Sequence, residues 1–318
     1  SAQHEVTLFE ADSRLGGHTA TMDVNVAGQP YAIDTGFIVF NDWTYPHFQR
    51  LMATLGVASQ ATEMSFSVHE TARDFEYNGH TLGSLFAQRR NLLNPSFYRL
   101  RFNKQATNAL ESQQLPEHMT LGEYLDRNHY NRDFQQRYLL PMGAAIWSAS
   151  ISDLRAFPLA FFVRFFRNHG LLSVNHRPQW YTLVGGSKSY IPSLTAPYAS
   201  RIHLNTPVTR ITRDSTGVVI TTPSGTQRFD QVVLACHADQ ALAMLGDASG
   251  DEKAILGAMP YQDNEVVLHT DTALLPRRKR AWASWNYRLD QRDSEARVSV
   301  TYAMNILQRI ESDSMFCV

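Results

Sequence analysis

Apolar and polar positions alternate in three regimes along the chain. Near the start, Val6-Thr7-Leu8-Phe9 is a compact run of strand formers, so residues 5–9 are expected as a short buried strand. Residues 22–33 carry two short runs around Ala27-Gly28-Gln29, the pattern of a hairpin. From Tyr45 to about Leu171 the spacing turns helical. Pro46 to Leu55 has a helical apolar period and stops at Gly56. Thr120-Leu121-Gly122-Glu123 is a capping-box pattern that opens a second helix, with Leu121, Tyr124 and Leu125 on its apolar face. Strand periodicity then returns at 202–204, 208–212, 217–222 and 227–235, with turns at Ser215-Thr216-Gly217 and Ser224-Gly225. A helix is expected from Ala238 to Leu245, and further strands at 264–270 and 297–304. This order implies a sheet domain interrupted by a mostly helical insertion, with no internal repeat.

Composition narrows the class without naming it. The 318 residues suffice for two domains. Hydrophobic residues at 43% and charged residues at 19% are ordinary for a globular protein. A formal net charge of −1 gives no long-range attraction to nucleic acid or an anionic membrane. The run Arg277-Arg278-Lys279-Arg280 follows Pro276 and reads as a solvated loop. Two cysteines, Cys236 and Cys317, offer neither a disulfide framework nor a zinc pattern, so a reducing, cytoplasmic setting is expected. No secretory signal is read. The apolar stretch Tyr138 to Ser152 contains Pro141 and is shorter than the ~20 residues of a spanning helix, so no transmembrane segment is expected. The chain starts almost on a strand and stops on Met315-Phe316-Cys317-Val318, which reads as a longer chain cut at both ends.

The sharpest chemical signal is Val6-Thr7-Leu8-Phe9-Glu10-Ala11-Asp12-Ser13-Arg14-Leu15-Gly16-Gly17-His18. A strand that ends on a carboxylate, Glu10, can accept both hydroxyls of an adenosine ribose. Arg14 follows four residues on, then Gly16 and Gly17. Glycines let backbone approach a pyrophosphate and aim amides at its oxygens. Alone, the glycine pair is a plain loop; the Glu-x3-Arg-x-Gly-Gly spacing after an apolar strand favours a dinucleotide cofactor.

This spacing resembles the signature of the flavoprotein group that holds amine oxidases, protoporphyrinogen oxidases and phytoene-type desaturases. The resemblance implies FAD, with Glu10, Arg14, Gly16, Gly17 and His18 at the cofactor. In that group the signature follows a Gly-x-Gly-x-x-Gly turn, and no Gly-x-Gly occurs in this sequence. Ile33-Asp34-Thr35-Gly36-Phe37-Ile38 resembles the stretch that passes the flavin ring, which points to Thr35, Gly36 and Phe37. Its plain alternative is a tight turn after the hairpin. Val184 to Pro192 resembles the Gly-Gly return from the insertion. Thr206-Pro207-Val208 resembles the strand whose backbone meets the adenine at Val208, and Val232-Val233-Leu234-Ala235 the strand that reaches the dinucleotide at Ala235. Leu140 to Ser148, Arg177-Pro178-Gln179-Trp180 and Ala281 to Tyr287 are similar to bacterial proteins described as NAD/FAD-binding and amine-oxidase-like. Their genes often accompany fatty-acid methylation and cyclopropanation enzymes, which implies an apolar acyl or lipid substrate.

The expected fold is α/β: an incomplete Rossmann-like FAD-binding domain at 1–45 and 184–250, with an inserted α+β substrate domain at 46–183 and 251–318. The expected function is oxidation or desaturation of an apolar substrate by hydride transfer to flavin. Such transfer needs no acid or base, and no catalytic residue or metal site is assigned. Many amine oxidases of the group carry a lysine near the flavin. The matching stretch, Gln262 to His269, has none, and Glu265 and His269 are as well explained as surface residues. Amine oxidation is the rival activity, and a non-catalytic fragment that does not retain FAD the rival from another class. Phe157, Phe161, Phe162, Phe165 and Phe166 read chiefly as helical core, and Arg164 and Arg167 as a solvated face.

Overall fold

The structure, a computed structural model, describes residues 4–93, 118–171, 177–289 and 299–318. Its strands in chain order are β1 (Leu8–Phe9), β2 (Thr21–Val26), β3 (Gln29–Asp34), β4 (Val39–Asn41), β5 (Ser59–Thr62), β6 (Phe66–Glu70) and β7 (Phe75–Asn78). They continue as β8 (Trp180–Leu183), β9 (Ile202–His203), β10 (Arg210–Asp214), β11 (Gly217–Thr222), β12 (Gly225–Phe229), β13 (Trp285–Leu289) and β14 (Ser299–Tyr302). The architecture is mixed α/β.

The chain divides into two compact units, residues 1–20 with 190–266 and residues 21–189 with 267–318. These breaks differ from the domain limits read from the sequence: residues 21–45 and 184–189 pack in the second unit, and 251–266 in the first. In the first unit, β1 pairs in parallel with β9, and β10-β11-β12 form an antiparallel meander. Ile211, Val218 and Ile220 make its core, backed by Phe9, Val208, Phe229 and Leu234.

The second unit holds the larger core. Its main sheet runs β14-β13-β6-β7, with β13 parallel to β6 and the other pairs antiparallel. β4-β8-β5 and the β2-β3 hairpin complete it. Val68, Tyr77 and Tyr287 from the main sheet meet Leu121, Leu125, Leu154, Phe162 and Phe166 from the helices. Helix Leu121–Arg127 starts at the expected capping box, with Glu123 N donating to Thr120 Oγ1 and Thr120 N to Glu123 Oε2.

Several expectations need correction. The region from Tyr45 to Leu171 also holds β5, β6 and β7, which the helical reading passed over. The strand expected at 227–235 ends at Phe229, and residues 231–235 pair with no strand among the described residues. Residues 264–270 form no strand; His269 makes one isolated bridge with Cys317, while Val266 and Val267 stay exposed. The strand expected at 297–304 is β14 at 299–302, and residues 297 and 298 lie outside the described residues.

Candidate functional site

In the first unit, pairing with β9 fixes where β1 delivers Glu10. Glu10 N donates to His203 O at 2.9 Å, and Glu10 O accepts from Thr206 N at 2.8 Å. The Phe9 ring stacks on His203 at 5.3 Å and meets Phe229 edge-on at 5.9 Å. Glu10 is half-buried. One carboxylate oxygen accepts from Asp12 N at 2.9 Å. The other has no partner among the described residues.

The loop that follows is stapled from within. The Arg14 guanidinium donates to Gly17 O at 2.9 Å and Thr19 O at 3.4 Å, and lies 3.6 Å from Asp12. Half exposed, this ion pair contributes little stability; its effect is to hold the loop's shape. Arg14 therefore acts on its own loop, a role that composition alone did not indicate. Gly16 has φ +113° and Gly17 φ +52°, both in the region that favours glycine. A Cβ on Gly16 would stand 2.6 Å from Ile191 Cδ1 and 2.8 Å from Thr19 O. No acceptor among the described residues pairs with the amides of Gly16, Gly17 or His18. Exposed and unpaired, they are available to an anion.

Two stretches singled out in the sequence meet here. The His18 ring lies 5.1 Å from His237, which stacks on Tyr261 at 4.3 Å, and Tyr261 Oη accepts from Ala238 N at 3.1 Å. The segment through Ala235 is thereby tied to the Gly16-Gly17-His18 loop, with Ala235 exposed beside it in sequence. Val208 is half-buried on the Ile211, Val218 and Ile220 core. Cys236 is an exposed thiol whose pKa is raised by burial and then by Asp239. His237 and Tyr261 were not read from the sequence as a pair; the strand-end position of His237 was the only signal.

Thr35, Gly36 and Phe37 belong to the second unit. Gly36 is exposed, and Phe37 meets Phe48 edge-on at 5.2 Å. Just before them, Asp34 is fully buried. Its carboxylate accepts from Thr21 Oγ1 at 2.6 Å, Ser187 N at 2.8 Å and Ser187 Oγ at 3.0 Å. Burial raises the Asp34 pKa, while these donors and Lys188 act in the opposite direction. Asp34 thus clasps the Gly185-Gly186 turn against the exit of β3. The sequence showed both segments but not this contact between them.

The stretch Gln262 to His269 gathers no site. Glu265 is exposed, and the His269 backbone pairs with Cys317 at 2.9 and 2.8 Å. Among the described residues no group of three or more His, Cys, Asp or Glu side chains could hold a metal ion, and no helix is long and apolar enough to cross a membrane.

Comparison with known proteins supplies the family. The profile of the flavin containing amine oxidoreductases matches residues 1–274. No match is found among curated proteins. The fold is similar to putrescine oxidase bound to putrescine, with TM-score 0.63 and 12% identity over 99% of this chain and 70% of that one. It is similar to a CLA-producing fatty acid isomerase from P. acnes, with TM-score 0.59 and 16% identity over 98% and 69%. A protein assigned as a protoporphyrinogen oxidase from Exiguobacterium sp. gives 0.60 and 18% over 98% and 70%. The match over most of the chain establishes that it belongs to the flavin-containing amine oxidoreductase family.

Proposed function

We propose that the chain uses FAD to oxidise or desaturate an apolar substrate, with a fatty-acyl lipid as the first class to test. The observation that carries the cofactor is the pairing of a strand-end carboxylate, Glu10, with the unpaired amides of a left-handed glycine pair, Gly16-Gly17. These groups fit the two ends of an adenosine diphosphate: hydroxyls for the carboxylate, pyrophosphate oxygens for the amides. Arg14 keeps the loop open by bonding its carbonyls. Val208 offers backbone to the adenine, and Ala235 and His18 border the same loop. Thr35, Gly36 and Phe37 keep the flavin-side role that their resemblance implies. The first unit, residues 1–20 with 190–266, is then the Rossmann-like cofactor domain.

Bound FAD would accept the substrate hydride. The protein's part is to bind, orient and exclude water. No lysine stands between Gln262 and His269, which favours the apolar substrate over an amine. The fold's likeness to a fatty acid isomerase supports the same choice. Likeness to putrescine oxidase keeps amine oxidation as the second reading.

Titration of FAD fluorescence tests the cofactor. Wild type is expected to quench it, and Glu10→Ala to weaken binding by about tenfold to a hundredfold, the loss of a hydrogen-bonded charge. A folded protein that ignores FAD, or binds it equally without Glu10, would sink the assignment. Anaerobic bleaching then separates the substrates: bleaching by fatty-acyl compounds is expected, and bleaching by amines alone removes the lipid reading.

A further inference from the structure

Helix Leu159–Asn168 buries one apolar face in the core and brings part of a second to the surface. Leu159, Phe162, Val163 and Phe166 are buried. On the other side Phe161 is 46% exposed. It is the exposed crest of a four-ring cluster whose other members, Trp147, Phe157 and Phe165, are partly buried against the core. Trp147 lies 4.9 Å from Phe157, 6.0 Å from Phe161 and 4.8 Å from Phe165, and Phe157 lies 5.8 Å from Phe161. Phe157, Phe161 and Phe165 recur every four residues, so they form one stripe along the helix and its entry.

The flank of this stripe is cationic. Arg164 and Arg167 are exposed and have no ion-pair partner among the described residues. No Asp or Glu occurs between Asp153 and Asp214, although the whole chain is close to neutral. A half-exposed aromatic crest beside exposed guanidinium groups matches the make-up of an interfacial helix: rings at the acyl boundary, cations among anionic headgroups.

We propose that this face docks on an anionic lipid surface. A second copy of the chain fits less well. In a two-fold contact the patch meets itself, and Arg164 and Arg167 would face like charges with no acid on the segment to oppose them. A nucleic acid also fits less well. The rings tilt against Trp147 by 39° to 56° instead of lying open as a platform for bases. The inference is independent of the cofactor assignment, since none of these residues is placed at FAD.

Sedimentation of the purified chain with vesicles tests it. Binding is expected to vesicles containing phosphatidylserine and not to those of phosphatidylcholine alone, and to fall in high salt. The double variant Arg164→Gln, Arg167→Gln is expected to weaken partitioning about thirtyfold, roughly fivefold for each cation. Phe161→Ser is expected to weaken it about tenfold, for one aromatic side chain withdrawn. Both changes fall on exposed positions, and circular dichroism will show that the helix is kept. Absence of binding, equal binding to both vesicles, or binding that ignores these variants overturns the proposal. So does preferential capture of a single-stranded oligonucleotide, or a dimer that Phe161→Ser dissolves.

Discussion

At the scale of single residues, the second unit holds three positions whose surroundings dictate a measurable outcome. His69 on β6 stands opposite Glu76 on β7, and its Nδ1 is buried without a partner. Burial, then Arg288, lowers its pKa from 6.5 to about 4, with Glu76 opposing. The unfolded chain therefore binds more protons than the folded one between pH 6.5 and about 4. His69 contributes stability that is complete above pH 6.5, drains as pH falls through that window and levels off below it. Urea melts at pH 7 and pH 4.5 are expected to differ by on the order of 2–3 kcal/mol more in wild type than in His69→Asn. Equal losses would contradict a buried neutral imidazole. The glycine pair beside Asp34 gives a second contrast. Gly185 and Gly186 both have positive φ, +82° and +87°. A Cβ on Gly185 meets open space; one on Gly186 would stand 2.5 Å from Thr21 Cγ2 and 3.1 Å from Asp34 Oδ1. Gly185→Ala is expected to cost about 1 kcal/mol, from backbone strain alone. Gly186→Ala adds the collision and is expected to cost roughly 2–4 kcal/mol. Denaturant midpoints check the order, and similar costs would mean that the Asp34 clasp is loose.

Secondary-structure elements show which parts of the fold were legible from local sequence. The hairpin β2-β3 and helix Leu121–Arg127 were, because a turn and a capping box write their own geometry within a few residues. Thr120→Ala removes that cap and is expected to cost about 1 kcal/mol in thermal or urea melts; no change would mean that packing of Leu121 and Leu125 alone holds the helix start. β5 and β6 were not legible. Ser59-Gln60-Ala61-Thr62 is polar, and its partner β8 lies far along the chain at Trp180–Leu183. β6 pairs with β13 at Trp285–Leu289, more distant still. Conversely, Val266 and Val267 have strand-like chemistry without a strand to pair with, and they stay exposed. The site divides the same way. Glu10, Arg14, Gly16 and Gly17 could be read because their spacing within one loop carries the chemistry. The clasp of Asp34 on Ser187 and the ring cluster of His18, His237 and Tyr261 could not, because each joins segments that only tertiary structure brings together.

Over the whole molecule, the two units differ in how much holds them. The first rests on a small core of Ile211, Val218 and Ile220, and its candidate loop from Glu10 to His18 is mostly exposed. The second has an aromatic and aliphatic core of far greater extent, with Phe162, Phe166, Leu121 and Leu154 fully buried. A ligand held by the first unit's backbone would therefore show most where the protein's own contacts are fewest. Mass action adds about 2.7 kcal/mol to the bound state at FAD a hundredfold above its Kd, enough to slow opening of the contacted segment by about a hundredfold. Amide hydrogen exchange can read this region by region. With FAD present, protection is expected to rise at Gly16, Gly17 and His18, whose amides are exposed and unpaired, and at the neighbouring Glu10 to Ser13. Helices Leu121–Arg127 and Leu159–Asn168 are expected to exchange as before. Protection that appears only in those helices, or nowhere, would show that the glycine-pair loop is not where this chain meets its cofactor, even if flavin binds.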